Sequence, residues 1–66
     1  MLIEINGRPQ EVPDGSNVAA LLEHLTLEPR RVAVELNKRL VPRGMFDATS
    51  LAADDHVEIV TLVGGG

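Results

Sequence analysis

Few side chains in this sequence are equipped for covalent or acid–base chemistry. There is no cysteine, which removes thiol nucleophiles, disulfide frameworks and the common structural zinc sites. Ser16 and Ser50 have no histidine placed in sequence to activate a hydroxyl, and Lys38 is a lone lysine in a charged turn. His24 falls at the border of an apolar helical stripe and His56 follows Asp54-Asp55 at a strand entrance, so both read as solvated or capping histidines. A metal site would have to draw His24, His56 and a carboxylate from separate elements, and no spacing favours that. Turn formation accounts for Asp54-Asp55 without an acid–base role. No catalytic residue and no metal ligand is assigned, and the expectation is a protein that is not itself an enzyme.

The C-terminal residues are different in kind. The most β-prone run, Val57 to Val63, stops at Gly64-Gly65-Gly66, which divides the chain into a body over residues 1–63 and a flexible glycine tail over 64–66. Fully extended, Val63 to Gly66 would reach roughly 13 Å at about 3.3 Å per residue, enough to enter a partner's buried site. Gly64 and Gly65 suit a narrow tunnel, and Gly66 would present an unhindered carboxylate that can be activated at its carbonyl carbon. On this reading the reactive group is the chain end itself. The competing reading of the same residues is an inert glycine-rich end.

The preceding elements would have to hold that tail. Leu2 to Asn6 alternates around Ile3 and Ile5, and Asn6-Gly7 is the dipeptide of a type I′ hairpin turn leading into Arg8–Val12, where Pro9 suits an edge strand. After the break at Pro13-Asp14-Gly15-Ser16, either Ser16 or Asn17 can cap a helix. Its stripe is Val18, Leu21, Leu22 and Leu25, and its end is expected near Thr26, before Pro29. Val32, Val34 and Leu36 give a second half-buried strand, and Leu40 to Gly44 a brief edge strand and turn. Met45, Phe46 and Leu51 are expected to plug the open end of the core. In the last strand Val57 and Ile59 share one face, while Val60 and Leu62 place apolar groups on the face of Glu58. A single helix covers one sheet face, so Val60 and Leu62 are either buried under the Pro42–Leu51 segment or exposed as a docking patch beside the tail. The element order is that of an α+β domain with one helix laid across a mixed sheet of four to five strands.

Composition narrows the partners. Ordering 66 residues costs on the order of 100 kcal/mol of conformational entropy, so a chain this short must bury nearly all its large apolar groups. At 44% hydrophobic it has the material, but Phe46 is the one aromatic, which argues against stacking on bases or sugars. Ten acidic against six basic residues give a net charge of −4, which disfavours nucleic acid and anionic membranes. No apolar leader or spanning segment is read at Met1-Leu2-Ile3-Glu4-Ile5, and a cytoplasmic protein is expected. Arg30, Arg31, Lys38, Arg39 and Arg43 cluster in sequence, as a solvated face or as a salt-sensitive contact for an acidic partner.

Taken together, these residues resemble the ThiS-type sulfur carrier family of thiamin thiazole biosynthesis over essentially the whole chain. The match is carried by Asn6-Gly7, Val18 with Leu21-Leu22 and Leu25, Val32 to Asn37, Leu40-Val41-Pro42-Arg43, Asp54-Asp55 and Val63-Gly64-Gly65-Gly66. The third glycine departs from many members, which finish in two. The resemblance implies a ubiquitin-like β-grasp fold and a carrier with no bound cofactor of its own. It further implies that a ubiquitin-activating-type adenylyltransferase uses ATP to activate Gly66. A sulfur donor fed by a cysteine desulfurase would then convert Gly66 to a thiocarboxylate, and thiazole synthase would consume the sulfur. Val60, Leu62 and Val63 are the candidate docking surface, by position beside the tail. Molybdopterin or a transfer RNA base is the alternative acceptor, and a ubiquitin-like binding module with an inert tail is the alternative of another class.

Overall fold

The computed structural model describes residues 1–63. The assignments to Gly64, Gly65 and Gly66 lie outside the described residues. Leu2–Ile5 (β1) and Arg8–Glu11 (β2) form an antiparallel hairpin. Its turn residues Asn6 and Gly7 have φ of 51° and 81°, the double positive that a type I′ turn demands. Proline 9 lies in β2 at the sheet edge, where its missing N–H need not interrupt a ladder.

Asn17, not Ser16, caps the helix Val18–His24 (α1): its side-chain oxygen accepts from the Ala20 amide at 2.7 Å. Ser16 instead donates its hydroxyl to the Pro13 carbonyl at 2.6 Å. The helix closes at Leu25, one residue short of the expected end. Thr26, at φ 59°, donates to the Glu23 carbonyl and Leu27 to that of Leu22, the paired bonds of a Schellman motif with threonine in place of the usual glycine. Val32–Leu36 (β3) and Arg39–Val41 (β4) make a second hairpin through Asn37 and Lys38, at φ 51° and 70°. The final strand is His56–Thr61 (β5), shorter at its end than the expected run to Val63.

The five strands lie in the order β2-β1-β5-β3-β4. β5 runs parallel to β1, with Glu4 beside His56 and Ile5 beside Val57, and antiparallel to β3 from Val32–Thr61 to Leu36–Val57. First and last strands thus share the centre of a mixed sheet with one helix on one face, the β-grasp arrangement. The core joins Val18, Leu21 and Leu22 of α1 to Ile3, Val34, Val41 and Val57 of the sheet. Phe46 and Leu51 close its open end as expected, but Met45 does not, being 49% exposed. Residues Arg43–Met45 form a tight 3-10 turn in which Phe46 donates back to the Arg43 carbonyl, and that turn aims Phe46 inward and its neighbour outward.

Candidate functional site

The register of the sheet decides what the helix-free face presents. Ile59 pairs with Val34 toward the helix, so Val60, opposite Ala33, faces away from it. Val60 is 58% exposed and Leu62 45%, which settles their orientation: the Pro42–Leu51 segment does not cover them. Beside them on this face Glu58 stands opposite Glu35, which in turn stands opposite Leu40. All three are exposed.

The strand stays hydrogen-bonded almost to the tail. Past Thr61, the Leu62 amide still donates to the Arg31 carbonyl at 2.7 Å, and the next residue, Val63, is 99% exposed. The backbone is therefore fixed at Leu62, and the Val63 side chain is free of packing. The same contact places Arg31 at the root of the tail, and Arg43 joins it there by donating to the Arg30 carbonyl at 3.3 Å. The basic cluster thus divides. Arg30, Arg31 and Arg43 gather where the tail leaves, while Lys38 and Arg39 lie at the opposite end of β3.

The polar groups weighed for chemistry lie on separate elements. His56 and Glu4, neighbours across the parallel pair, approach to 3.2 Å between Nδ1 and Oε2 on an open surface. His24 is exposed on α1. Asp55 accepts from the Ala52 amide at 2.7 Å and from the Asn37 side chain at 3.1 Å, a loop clasp. Ser50 pairs with Asn17 by a backbone bridge. Among the described residues no group of three His, Cys, Asp or Glu is arranged to hold a metal ion, and no helix is long and apolar enough to cross a membrane.

Two residues that position β5 escaped the reading of the sequence as more than turn and alternation. The β1 ladder reaches β5 through the Glu4 amide to the Asp55 carbonyl and the Asn6 amide to the Val57 carbonyl, both 2.9 Å. There β1 turns away, and the Asn6 carboxamide takes over: its Nδ2 donates to the Ile59 carbonyl at 3.1 Å and its Oδ1 accepts from the Ile59 amide at 2.8 Å. On the other side Asn37 holds His56 with one backbone and one side-chain atom: its backbone N–H donates to the His56 carbonyl at 2.7 Å and its Oδ1 accepts from the His56 amide at 2.9 Å, while its Nδ2 donates to Asp55. The signal was present as Ile5-Asn6-Gly7-Arg8 and Leu36-Asn37-Lys38-Arg39, each an asparagine just past a strand, where a carboxamide can stand in for a peptide group.

Comparison with known proteins agrees with this architecture. The model of the ThiS family matches residues 2–66. A thiazole synthase of Magnetococcus marinus is 42% identical over 66 residues, covering 100% of this chain and 20% of that protein. The sulfur carrier protein ThiS of Bacillus subtilis is 32% identical, with 98% of this chain and 100% of the relative covered. The crystal structure of the thiamine biosynthesis protein ThiS from Geobacter metallireducens matches with a TM-score of 0.87 at 38% identity, covering 100% of both chains. The chain spans about a fifth of the length of the thiazole synthases that it matches.

Proposed function

Because the chain belongs to the ThiS family, we propose that it carries sulfur on its Gly66 carboxylate for the thiazole ring of thiamin. The observation that carries this reading is the family match across residues 2–66, glycine tail included, on a fold whose last strand is held firmly up to Leu62. A carboxylate is a poor electrophile because its leaving group would be oxide. Attack of a Gly66 oxygen on the α-phosphorus of ATP, in the site of a ubiquitin-activating-type adenylyltransferase, releases pyrophosphate and gives an acyl adenylate. A persulfide sulfur supplied through a cysteine desulfurase then attacks the acyl carbon and AMP leaves. Cleavage of the resulting acyl disulfide by a second thiol leaves the thiocarboxylate, a sulfur nucleophile tethered to a carrier.

The body contributes position, not reacting groups. Exposed Val60, Leu62 and Val63 supply apolar area for docking, and holding the carrier there raises the effective concentration of the tail end. Gly64 and Gly65 thread the approach to the partner's site. Arg30, Arg31 and Arg43 at the tail root favour a partner rim of carboxylates, which accelerates encounter in a salt-dependent way. Among possible acceptors, the similarity to thiazole synthases favours the thiazole over molybdopterin or a transfer RNA base.

The test is the intact mass after incubation with ATP, a persulfide donor and a ThiS-type adenylyltransferase, with a Gly66 deletion alongside. Exchange of one oxygen for sulfur in the full chain alone is the expected result. No exchange, with an adenylyltransferase shown to be active on its own carrier, would overturn the reading in favour of a binding module with an inert tail.

A further inference from the structure

Asn6-Gly7 combines the two partners of a known side reaction of peptides, in which a backbone nitrogen attacks the carboxamide of the residue before it. Glycine in second place removes the side chain that would hinder attack. The Gly7 amide donates to no carbonyl among the described residues, and both Asn6 and Gly7 are exposed to water. The nucleophile is thus free, but the electrophile is not. Both polar atoms of the Asn6 carboxamide are engaged on Ile59, at 2.8 and 3.1 Å, and cyclisation requires that group to leave β5 and turn toward Gly7.

The geometry points to Asn6 as a deamidation site that the hydrogen-bonded clamp on Ile59 keeps closed, and whose conversion loosens the tail-bearing half of β5. In the reaction the deprotonated Gly7 nitrogen bonds to Asn6 Cγ, the Cγ–Nδ2 bond breaks and ammonia departs. Water then opens the succinimide, giving aspartate if it cleaves at Cγ and an isoaspartyl link if it cleaves at the backbone carbonyl. The net change is asparagine plus water to a carboxylate plus ammonia, without oxidation or reduction. The product has no donor for the Ile59 carbonyl and sets a carboxylate oxygen against it, so the substitute for a ladder bond becomes repulsive. The isoaspartyl product also inserts a methylene into a turn whose two φ values are fixed at 51° and 81°. Asn37 is an internal control, because it has the same φ of 51° and a comparable clamp but is followed by Lys38, whose side chain shields the amide nitrogen.

The test compares the full chain in mildly alkaline buffer with the same chain in urea, following the mass of the peptide spanning Asn6-Gly7 and its isoaspartate content. Local opening limits the native reaction, so it is expected to run at least about tenfold slower than in urea, with Asn37 intact in both. Equal rates in buffer and urea would overturn the protective role of the clamp. A second measurement needs no unfolding: N6D is expected to raise amide hydrogen exchange at Ile59 and Leu62 about fivefold or more, the effect of losing one hydrogen bond. Unchanged exchange in folded N6D would overturn the consequence for β5.

Discussion

The first hairpin turns through Asn6-Gly7 at φ of 51° and 81°, and the second through Asn37-Lys38 at 51° and 70°. Each asparagine follows an aliphatic strand residue, stands two positions before an arginine, and reaches out of its own hairpin to the backbone of β5. They differ in the residue that shares the turn. Gly7 takes a positive φ at no steric cost, whereas Lys38 holds left-handed backbone at a cost of about 1 kcal/mol. Each carboxamide makes two hydrogen bonds, but the strained turn has the stronger pair: Asn37 donates to the Asp55 carboxylate and accepts from the His56 amide, whereas both bonds of Asn6 go to the neutral backbone of Ile59. A turn plan repeated in one sheet can thus be relaxed where its anchor is light and strained where its anchor is heavy.

The change with the largest expected effect removes what both hairpins lean on. Val57 is buried and sits in register with Ile5 of the first and Leu36 of the second. V57A should cost about 2 kcal/mol or more in urea unfolding and abolish the difference between the hairpins, because it loosens β5 for both. A loss below about 0.5 kcal/mol would show that they hold together without it. Next, N37G and N6G remove the carboxamides while permitting positive φ. The expected losses are about 2 kcal/mol for N37G and about 1 kcal/mol for N6G, and a reversed order would contradict the heavier anchoring of the second turn. The turn partners have effects no larger than that of N6G. G7A should lose about 1 kcal/mol from strained φ alone, and K38G should gain roughly 0.5 kcal/mol. A methyl at Gly7 would meet no atom within 4 Å, so steric contact does not confuse that reading.

The smallest effect distinguishes the hairpins by charge. Only the first is tied to the Met1 amine, which donates to the Val12 carbonyl at 2.6 Å and approaches Asp14 at 2.9 Å and Glu11 at 3.3 Å. The Asp14 carboxylate, by its hydrogen bond above all, raises the amine above its ordinary 8.0, and the amine in turn holds Asp14 below 3.8. The amine's stabilisation is complete below pH 8.0 and fades as pH climbs through its raised value; that of Asp14 is complete above pH 3.8 and fades as pH falls through its lowered value. Both groups meet solvent, so the thermal midpoint should move only slightly at either end, and D14N should flatten the acid side and most of the alkaline side.

Much of this was readable from residue order. The Asn6-Gly7 turn, the Val18, Leu21, Leu22 stripe and the alternation of Val32, Val34 and Leu36 are local patterns, and local patterns fix elements. The side-chain roles of Asn6 and Asn37 were not readable, because their partners lie 53 and 19 residues away and exist only once β5 is in place. Met45 was misplaced because apolarity says that a residue prefers the interior, not which of two neighbours a tight turn aims there. Alternation alone places Val60 and Leu62 on one face of β5 without saying whether that face is covered, which the register with β3 decides.

The position of β5 has a mechanical consequence. A strand that ends in the tail could have been the edge of the sheet, held on one side and able to peel away bond by bond. Here it lies in the middle, parallel to β1 and antiparallel to β3, and its ladder with β3 begins at the tail root itself. Tension applied along the tail and resisted at the start of β1 loads the β1–β5 bonds together in shear, so no single bond must break first. If the chain carries sulfur as proposed, a partner drawing residues 64–66 into a narrow channel would pull on a strand braced from both sides, and the body would stay folded outside.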